Sequence, residues 1–120
     1  MDIDPKDLDA LLPLPPATFH ILMALAEGDR HGYGIIQDVE DRTEGALRLS
    51  AGTLYRTIQR LVERGLIVES RRRPSPEEDD SRRRYYNITP FGMRVARAEA
   101  ARLTHLVSLA RDTGLAPEAP

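Results

Sequence analysis

An amphipathic helix followed at once by a basic hairpin constrains the fold of this chain more than any other stretch. Residues 50–65 open with Ser50, a helix-capping residue type, and place Leu54, Ile58 and Leu61 on one face, which is expected to meet a core. The opposite face carries amide and guanidinium donors that suit the edges of bases. Its residues are Gly52, Thr53, Arg56, Gln59, Arg60 and Glu63. The pattern predicts a recognition helix for the major groove of DNA. Ser50 and Tyr55 are also expected to contact the DNA.

Two basic, strand-like runs at residues 66–73 and 82–89 follow this helix and enclose an acidic, proline-containing turn at 74–81. Each run carries an arginine triplet, and like charges opposed across a ladder repel one another unless phosphates neutralise them. We therefore expect the triplets to contact the DNA backbone, with a solvated loop of no function as the alternative. The triplets are Arg71, Arg72, Arg73, Arg82, Arg83 and Arg84.

The order of three helices and a basic hairpin is that of a winged helix-turn-helix domain. The predicted fold is mainly α with a small β-hairpin, in which a long C-terminal dimerisation helix follows the winged domain. The expected parts are an arm with a short helix at 1–14, the winged domain at 15–88, the dimerisation helix at 89–113 and a disordered tail at 114–120.

Two further expectations concern the sheet. Leu47 and Leu49 are candidates for the short first strand that winged domains pair with the hairpin. Alternation along the last strand predicts that Tyr86 faces the core, together with Ile88, while Tyr85 and its alternate neighbour Asn87 face outward.

At this point the chain resembles the PadR-type transcriptional regulators, in motifs that keep their order and spacing over about residues 17–112. The motifs are His31-Gly32-Tyr33, then Gly52-Thr53-Leu54-Tyr55, then Leu61 with Gly65, Leu66 and Ile67, and finally Tyr86, Ile88, Thr89 and Gly92. The resemblance implies that Tyr33 lies near the DNA backbone or at the junction of the second and third helices. From its residue type alone, Tyr33 can equally fill the gap between those helices.

The charge distribution favours the same partner. The chain has a formal net charge of −2, but residues 1–49 carry four basic and ten acidic side chains, whereas residues 50–88 carry nine arginines and six acids. Positive charge is thus concentrated on the predicted recognition helix and hairpin, as expected of a surface that meets phosphates. A winged helix that binds another protein and not DNA is the alternative, and it predicts no such bias.

Both ends of the chain predict contacts with a second copy. Residues 4–12 form a short predicted helix whose leucines, Leu8, Leu11 and Leu12, would pack on a dimer partner, unless this segment is a frayed tail. Thr89 and Pro90 begin a helix of about 23 residues. Its second half carries an apolar stripe with three- and four-residue spacing that pairing with another copy would bury; the stripe is Leu103, Leu106, Val107 and Ala110. A helix that lies on its own domain is the alternative.

The composition limits the remaining functions. There is no cysteine, the acidic N-terminus has no apolar run, and no window approaches a membrane span, so we expect a cytoplasmic protein with no membrane partner, metal or cofactor. His20, His31 and His105 are scattered without a catalytic constellation, and we expect no enzyme.

The resemblance also bears on regulation. The chain matches the short subgroup of the family, which has one C-terminal helix, and we expect a repressor; the resemblance allows a small hydrophobic effector of unknown identity between subunits. In a homodimer paired through the last helix, two recognition helices related by a two-fold axis imply an inverted repeat in double-stranded DNA. Tryptophan is absent and the last helix has Phe91 as its one aromatic residue, which argues against an inherited aromatic-stacking pocket.

Overall fold

The structure is a computed structural model that describes residues 8–70 and 84–118. Four helices and three short strands lie wholly within those residues, after a helical turn at residues 8–9, and they follow one another in the order expected of a winged helix domain. In chain order the elements are α1 Pro16–Ala26, β1 Arg30–His31, α2 Gly32–Arg42, α3 Ala51–Glu63, β2 Ile67–Glu69, β3 Tyr85–Ile88 and α4 Pro90–Asp112. The predicted fold class, mainly helical with a small sheet and a C-terminal helix, is confirmed.

The predicted helix starts are confirmed by side-chain caps. The Ser50 hydroxyl accepts a hydrogen bond from the Thr53 N–H at 3.1 Å, and α3 begins directly after it. The Thr89 hydroxyl accepts from the Gly92 N–H at 2.9 Å, with Pro90 at the first position of α4. Each cap satisfies a backbone donor that the first turn of a helix leaves without an intrahelical partner.

The sheet is antiparallel with the strand order β1-β3-β2, and its first strand is not where the sequence placed it. Residues 30–31 pair with β3, whereas Leu47 and Leu49 lie outside any strand and pack on the core. The prediction of a strand at 47–49 was therefore wrong. Strand β1 has two residues and is therefore too short to show alternation in the sequence. Leu47 and Leu49 are apolar for another reason: they belong to a connecting segment that packs on the core.

The predicted exposure of Tyr85 was also wrong, because β1 covers that part of β3. Tyr85 is buried, like Tyr86, and its ring meets the His31 ring edge to face with centroids 5.4 Å apart. His31 lies opposite Tyr85 in the ladder and also accepts a hydrogen bond from the Gly34 N–H through Nδ1, at 3.0 Å. One residue thus caps α2 and covers the outer side of β3.

The core is built on the apolar stripe of α3. Leu54, Ile58 and Leu61 are buried among side chains from α1 and α2 and from the segment that enters β2. This burial removes one whole face of α3 from water and leaves the other face as the outer surface of the domain.

A close approach joins α4 to the end of α3. The Thr89 hydroxyl donates to the Gly65 carbonyl at 2.6 Å, and the Thr89 N–H donates to the Leu66 carbonyl at 2.9 Å. A Cβ atom at Gly92 would overlap the Leu66 carbonyl oxygen and lie 2.8 Å from Cγ1 of Ile88. Only glycine permits this approach, which fixes the direction in which α4 leaves the domain.

The two halves of α4 have different surroundings. Gly92, Val95 and Glu99 are buried in the first half, which packs on α1. No residue of α4 beyond Glu99 is buried within the described chain, and Leu106, Val107 and Leu109 are exposed. The second half of α4 therefore extends from the domain as a helix with apolar side chains in solvent.

Glu99 anchors the leading segment of the chain to α4. Its side chain is 2% exposed; Oε2 accepts a hydrogen bond from the Leu14 N–H at 2.9 Å, and Arg102 donates to both carboxylate oxygens. The bonds from Arg102 hold the pKa of the Glu99 carboxyl below its ordinary value of 4.5, against the effect of burial.

Leu8, Leu11 and Leu12, at the start of the described chain, are half-buried against the domain's own core. Residues 1–7 of the predicted arm lie outside the described residues.

Replacing Glu99 with glutamine should change how stability depends on pH. The lowered folded pKa means that the stabilising contribution of the carboxylate is fully present above the unfolded pKa and is lost as the pH falls through the folded value. We expect the free energy of unfolding of Glu99→Gln to lie below that of the wild type by a constant amount above about pH 5. The difference should shrink at more acidic pH. Urea denaturation from neutral to acidic pH measures it.

Asp112→Asn is the matched control, because Asp112 is an exposed carboxylate at the far end of the same helix. At neutral pH its free energy of unfolding should differ from that of the wild type by much less than that of Glu99→Gln. A Glu99→Gln deficit that is independent of pH would contradict the assignment.

Candidate nucleic-acid interface

The face of α3 opposite the core stripe is open to solvent along its length. Gly52, Tyr55, Arg56, Gln59, Arg60 and Glu63 are exposed, and Thr53 is half-buried beside the Ser50 cap. Because every buried position of α3 is held by an apolar contact, this outer face has a fixed orientation. The structure thus places on one surface all the α3 residues that the sequence singled out.

Arg56, Arg60 and Arg64 give this part of α3 its charge. No carboxylate in residues 8–70 or 84–118 forms an ion pair with any of the three. The sequence analysis missed Arg64; its four-residue spacing from Arg60, at the end of the helix, is the signal that identifies it. Three guanidinium groups without a protein carboxylate form a surface suited to phosphates and base edges.

Two arginines at the junction of α1 and α2 are occupied by ion pairs. Arg42 contacts Glu27 at 2.6 Å and Asp38 at 2.7 Å, and these carboxylates raise the pKa of its guanidinium above the ordinary value. Arg30 contacts Asp38 at 3.2 Å and donates through Nε to the Ala24 carbonyl at 2.8 Å. This network ties α1 to α2, so Arg30 and Arg42 hold the scaffold beneath the interface.

The two tyrosines of the interface have different surroundings. Tyr33 is 78% exposed at the start of α2, which rules out the interpretation that it fills the gap between helices. Tyr55 occupies that place: a Cβ atom at Gly32 would lie 2.6 Å from Oη of Tyr55 and 3.2 Å from Cδ2 of Leu54. Gly32 therefore lets Tyr55 pack on the first turn of α2, and Tyr33 is left free to contact a ligand.

The described base of the hairpin lies beside α3. Ile67 pairs with Ile88 and Glu69 with Tyr86 in the ladder, and burial raises the pKa of the Tyr86 phenol above its ordinary value. Arg84 is exposed, with its Nε atom 3.8 Å from a carboxylate oxygen of Glu69. The remaining predicted hairpin arginines, Arg71, Arg72, Arg73, Arg82 and Arg83, lie outside the described residues.

Within the ranges 8–70 and 84–118, no three histidine or acidic side chains form a group that could hold a metal ion. None of the helices in this part of the chain is long and apolar enough to cross a membrane.

The chain matches a known protein family over most of its length. A family model described as the transcriptional regulator PadR-like family matches residues 21–98, which run from α1 to the docked half of α4. The chain belongs to the PadR-like family of transcriptional regulators. The predicted resemblance is confirmed, and membership supports a DNA-binding transcriptional regulator.

Several individual proteins are similar to this chain in sequence or fold. A transcriptional regulator of Mycobacterium tuberculosis is 38% identical over 93 residues, which cover 78% of each chain. An uncharacterized protein of Lysinibacillus sphaericus is 36% identical over 72 residues, which cover 60% of this chain and 63% of that protein. The crystal structure of a PadR family transcription regulator from Clostridium difficile has the same fold, with a TM-score of 0.67 at 23% identity, covering 82% of this chain and 98% of that one.

Alanine substitution should separate the two tyrosines of this PadR-like protein. Tyr33→Ala removes an exposed ring, and we expect the free energy of unfolding to stay within about 0.5 kcal/mol of the wild type. Tyr55→Ala removes the contact with the first turn of α2 and should cost roughly 1 to 3 kcal/mol. Chemical denaturation at one protein concentration measures both. Equal losses would show that Tyr33 also packs between the helices.

Proposed function

We propose that this PadR-like protein is a sequence-specific transcriptional regulator that binds an inverted-repeat operator in double-stranded DNA as a homodimer. The observation that carries the proposal is the exposed face of α3 and its C-cap, where Arg56, Arg60 and Arg64 form no ion pair with any carboxylate of residues 8–70 and 84–118, opposite a buried stripe that fixes the orientation of the helix. Three guanidinium groups along α3 and its C-cap are complementary in charge to the phosphates of DNA.

The residues of the interface divide by the DNA groups they can reach. Arg56 and Gln59, near the middle of the exposed face, are placed to meet base edges in the major groove. Gly52 leaves the start of α3 open for the approach of a DNA backbone. The groups we assign to backbone contacts are Tyr33, Ser50, Thr53, Arg60 and the hairpin arginines, while Tyr55 contributes its exposed edge and the contact that holds α3 against α2.

The second half of α4 is the proposed dimerisation surface. Leu106 is 52% exposed, and Val107 and Leu109 are exposed beside the half-buried Leu103 and Ala110. Pairing with the same helix of a second copy buries this stripe and relates the two α3 helices by a two-fold axis. The exposed parts of Leu8, Leu11 and Leu12 extend the proposed contact. Such a dimer matches half-sites about one helical turn apart, at ~34 to 36 Å.

Repression is the regulatory mode that needs the fewest additional features. A dimer that occupies an operator excludes other proteins from that DNA without any further contact surface. The proposed DNA partner also accounts for a cytoplasmic location.

Sequence preference and salt dependence should distinguish residues that contact bases from residues that contact the phosphate backbone. Arg56→Gln should lose ~1 to 3 kcal/mol for the preferred sequence and much less for random DNA, because it removes a base contact. Arg84→Gln should weaken both DNAs alike and flatten the plot of log affinity against log salt by ~0.9 for each lost phosphate contact. Fluorescence anisotropy, with a sequence selected from a random pool, measures both.

Arg97→Gln is the matched control for charge, since Arg97 is an exposed arginine on α4. It should leave sequence preference unchanged. If Arg56→Gln weakens specific and random DNA equally, Arg56 contacts the backbone; a wild-type protein that binds no duplex DNA would overturn the proposed function.

The dimer is tested by placing a charge in the apolar stripe. Leu106→Asp should shift the protein toward monomer in sedimentation velocity, because an isolated carboxylate is costly to bury. Ser108→Asp is the control: it introduces the same charge at an exposed position, about 200° around the helix from Leu106. An unaltered sedimentation coefficient for Leu106→Asp would place the dimer contact elsewhere.

A further inference from the structure

A cavity of about 250 Å³ lies between the leading segment of the chain and the last two turns of α3. Its apolar wall includes three buried leucines, Leu14 from the segment before α1, Leu61 from α3 and Leu66 from the turn after it. The half-buried Leu11 completes this wall. Because these leucines are buried, with exposures of 8%, 4% and 1%, only their edges and the half-buried Leu11 form the apolar part of the lining, beside Thr18 and Thr57.

The same cavity is bounded by two positive charges. Arg60 and Arg64 line it from α3 and, at i and i+4, project from the same side of the helix. Neither forms an ion pair with any carboxylate of the described residues, whereas Arg30, Arg42 and Arg102 each have an acidic partner. An aliphatic wall beside two uncompensated guanidinium groups is complementary to a molecule with an apolar chain and a single anionic end.

We propose that this cavity binds a medium-chain aliphatic carboxylate, with its chain on the leucines and its carboxylate between Arg60 and Arg64. The volume supports a ligand of this size, because a cavity of about 150 Å³ already admits benzene. The described lining contains no aromatic side chain, so it favours a flexible chain over a flat ring. Arginine pairs with carboxylates through two parallel hydrogen bonds, and an apolar surrounding strengthens such a pair.

Binding at this cavity has a consequence for DNA, which rests on the proposed function. Arg60 belongs both to the cavity and to the exposed face of α3, so a carboxylate bound to Arg60 neutralises a group that the DNA backbone would otherwise contact. The ligand should lower affinity for DNA, and DNA should lower affinity for the ligand by the same factor. The cavity wall at Leu14 is also fixed to α4 by Glu99, which joins this site to the helix of the proposed dimer.

The test is a titration of the full chain with octanoate, without DNA, by isothermal calorimetry below the concentration at which octanoate forms micelles. We expect saturable binding of one octanoate per chain. Arg60→Gln and Arg64→Gln should each weaken it at least tenfold, and Arg97→Gln should leave it unchanged. Octylammonium and 1-octanol, which keep the chain and lose the negative charge, should bind at least tenfold more weakly than octanoate.

Each contrary result overturns a stated part of the inference. If octanoate does not bind saturably, the proposed site does not exist. If Arg60→Gln and Arg64→Gln bind octanoate as tightly as the wild type does, octanoate binds elsewhere. If 1-octanol binds as tightly as octanoate, the negative charge plays no part in binding. In the presence of DNA, octanoate should lower the affinity of the wild type and leave that of Arg64→Gln unaffected. Octanoate binding without an effect on DNA overturns the regulatory consequence, and octanoate binding by a protein that binds no DNA overturns the proposed function while the site stands.

Discussion

Burial of one face of α3 is the constraint on which the rest of the structure depends. Leu54, Ile58 and Leu61 repeat with helical spacing, and their removal from water fixes the rotation of the helix about its axis. That rotation decides which side chains face outward, so burial of the apolar stripe places Arg56 and Gln59 on the opposite, exposed face. A surface built in this way is rigid because the core behind it is closely packed.

The connection between α3 and α4 transmits this orientation to the end of the chain. Thr89 caps α4 and at the same time donates to the carbonyls of Gly65 and Leu66, so one residue begins a helix and closes the turn that ends another. Gly92 lets the two segments approach within a distance that no side chain permits. The projecting half of α4 therefore has a defined direction relative to α3, and in the proposed dimer that direction sets the distance between the two copies of α3.

Pairing of charges distinguishes the arginines between α1 and α2 from those on the outer face of α3. Arg30 and Arg42 are held by Glu27 and Asp38, and they stabilise the packing of α1 on α2. The arginines of α3 have no such partners among the described residues, so their charge is available to a phosphate or a carboxylate. Because no carboxylate of the described residues pairs with Arg60, its charge is available both to the proposed DNA contact and to the proposed fatty carboxylate. These two ligands therefore compete for Arg60.

The sequence by itself determined the features that depend on neighbouring residues: the core stripe and outer face of α3, the caps at Ser50 and Thr89, and the order of elements that places the chain among PadR-like regulators. Only the tertiary structure decided the features that depend on distant ones. Pairing of β1 with β3 buried Tyr85 against local alternation, and Glu99 reached the backbone of Leu14, 85 residues away. The spacing of apolar residues along a segment indicates which of its faces is buried and which is exposed. Strand pairing, ion pairs and cavities depend instead on which distant segments the folded chain brings together.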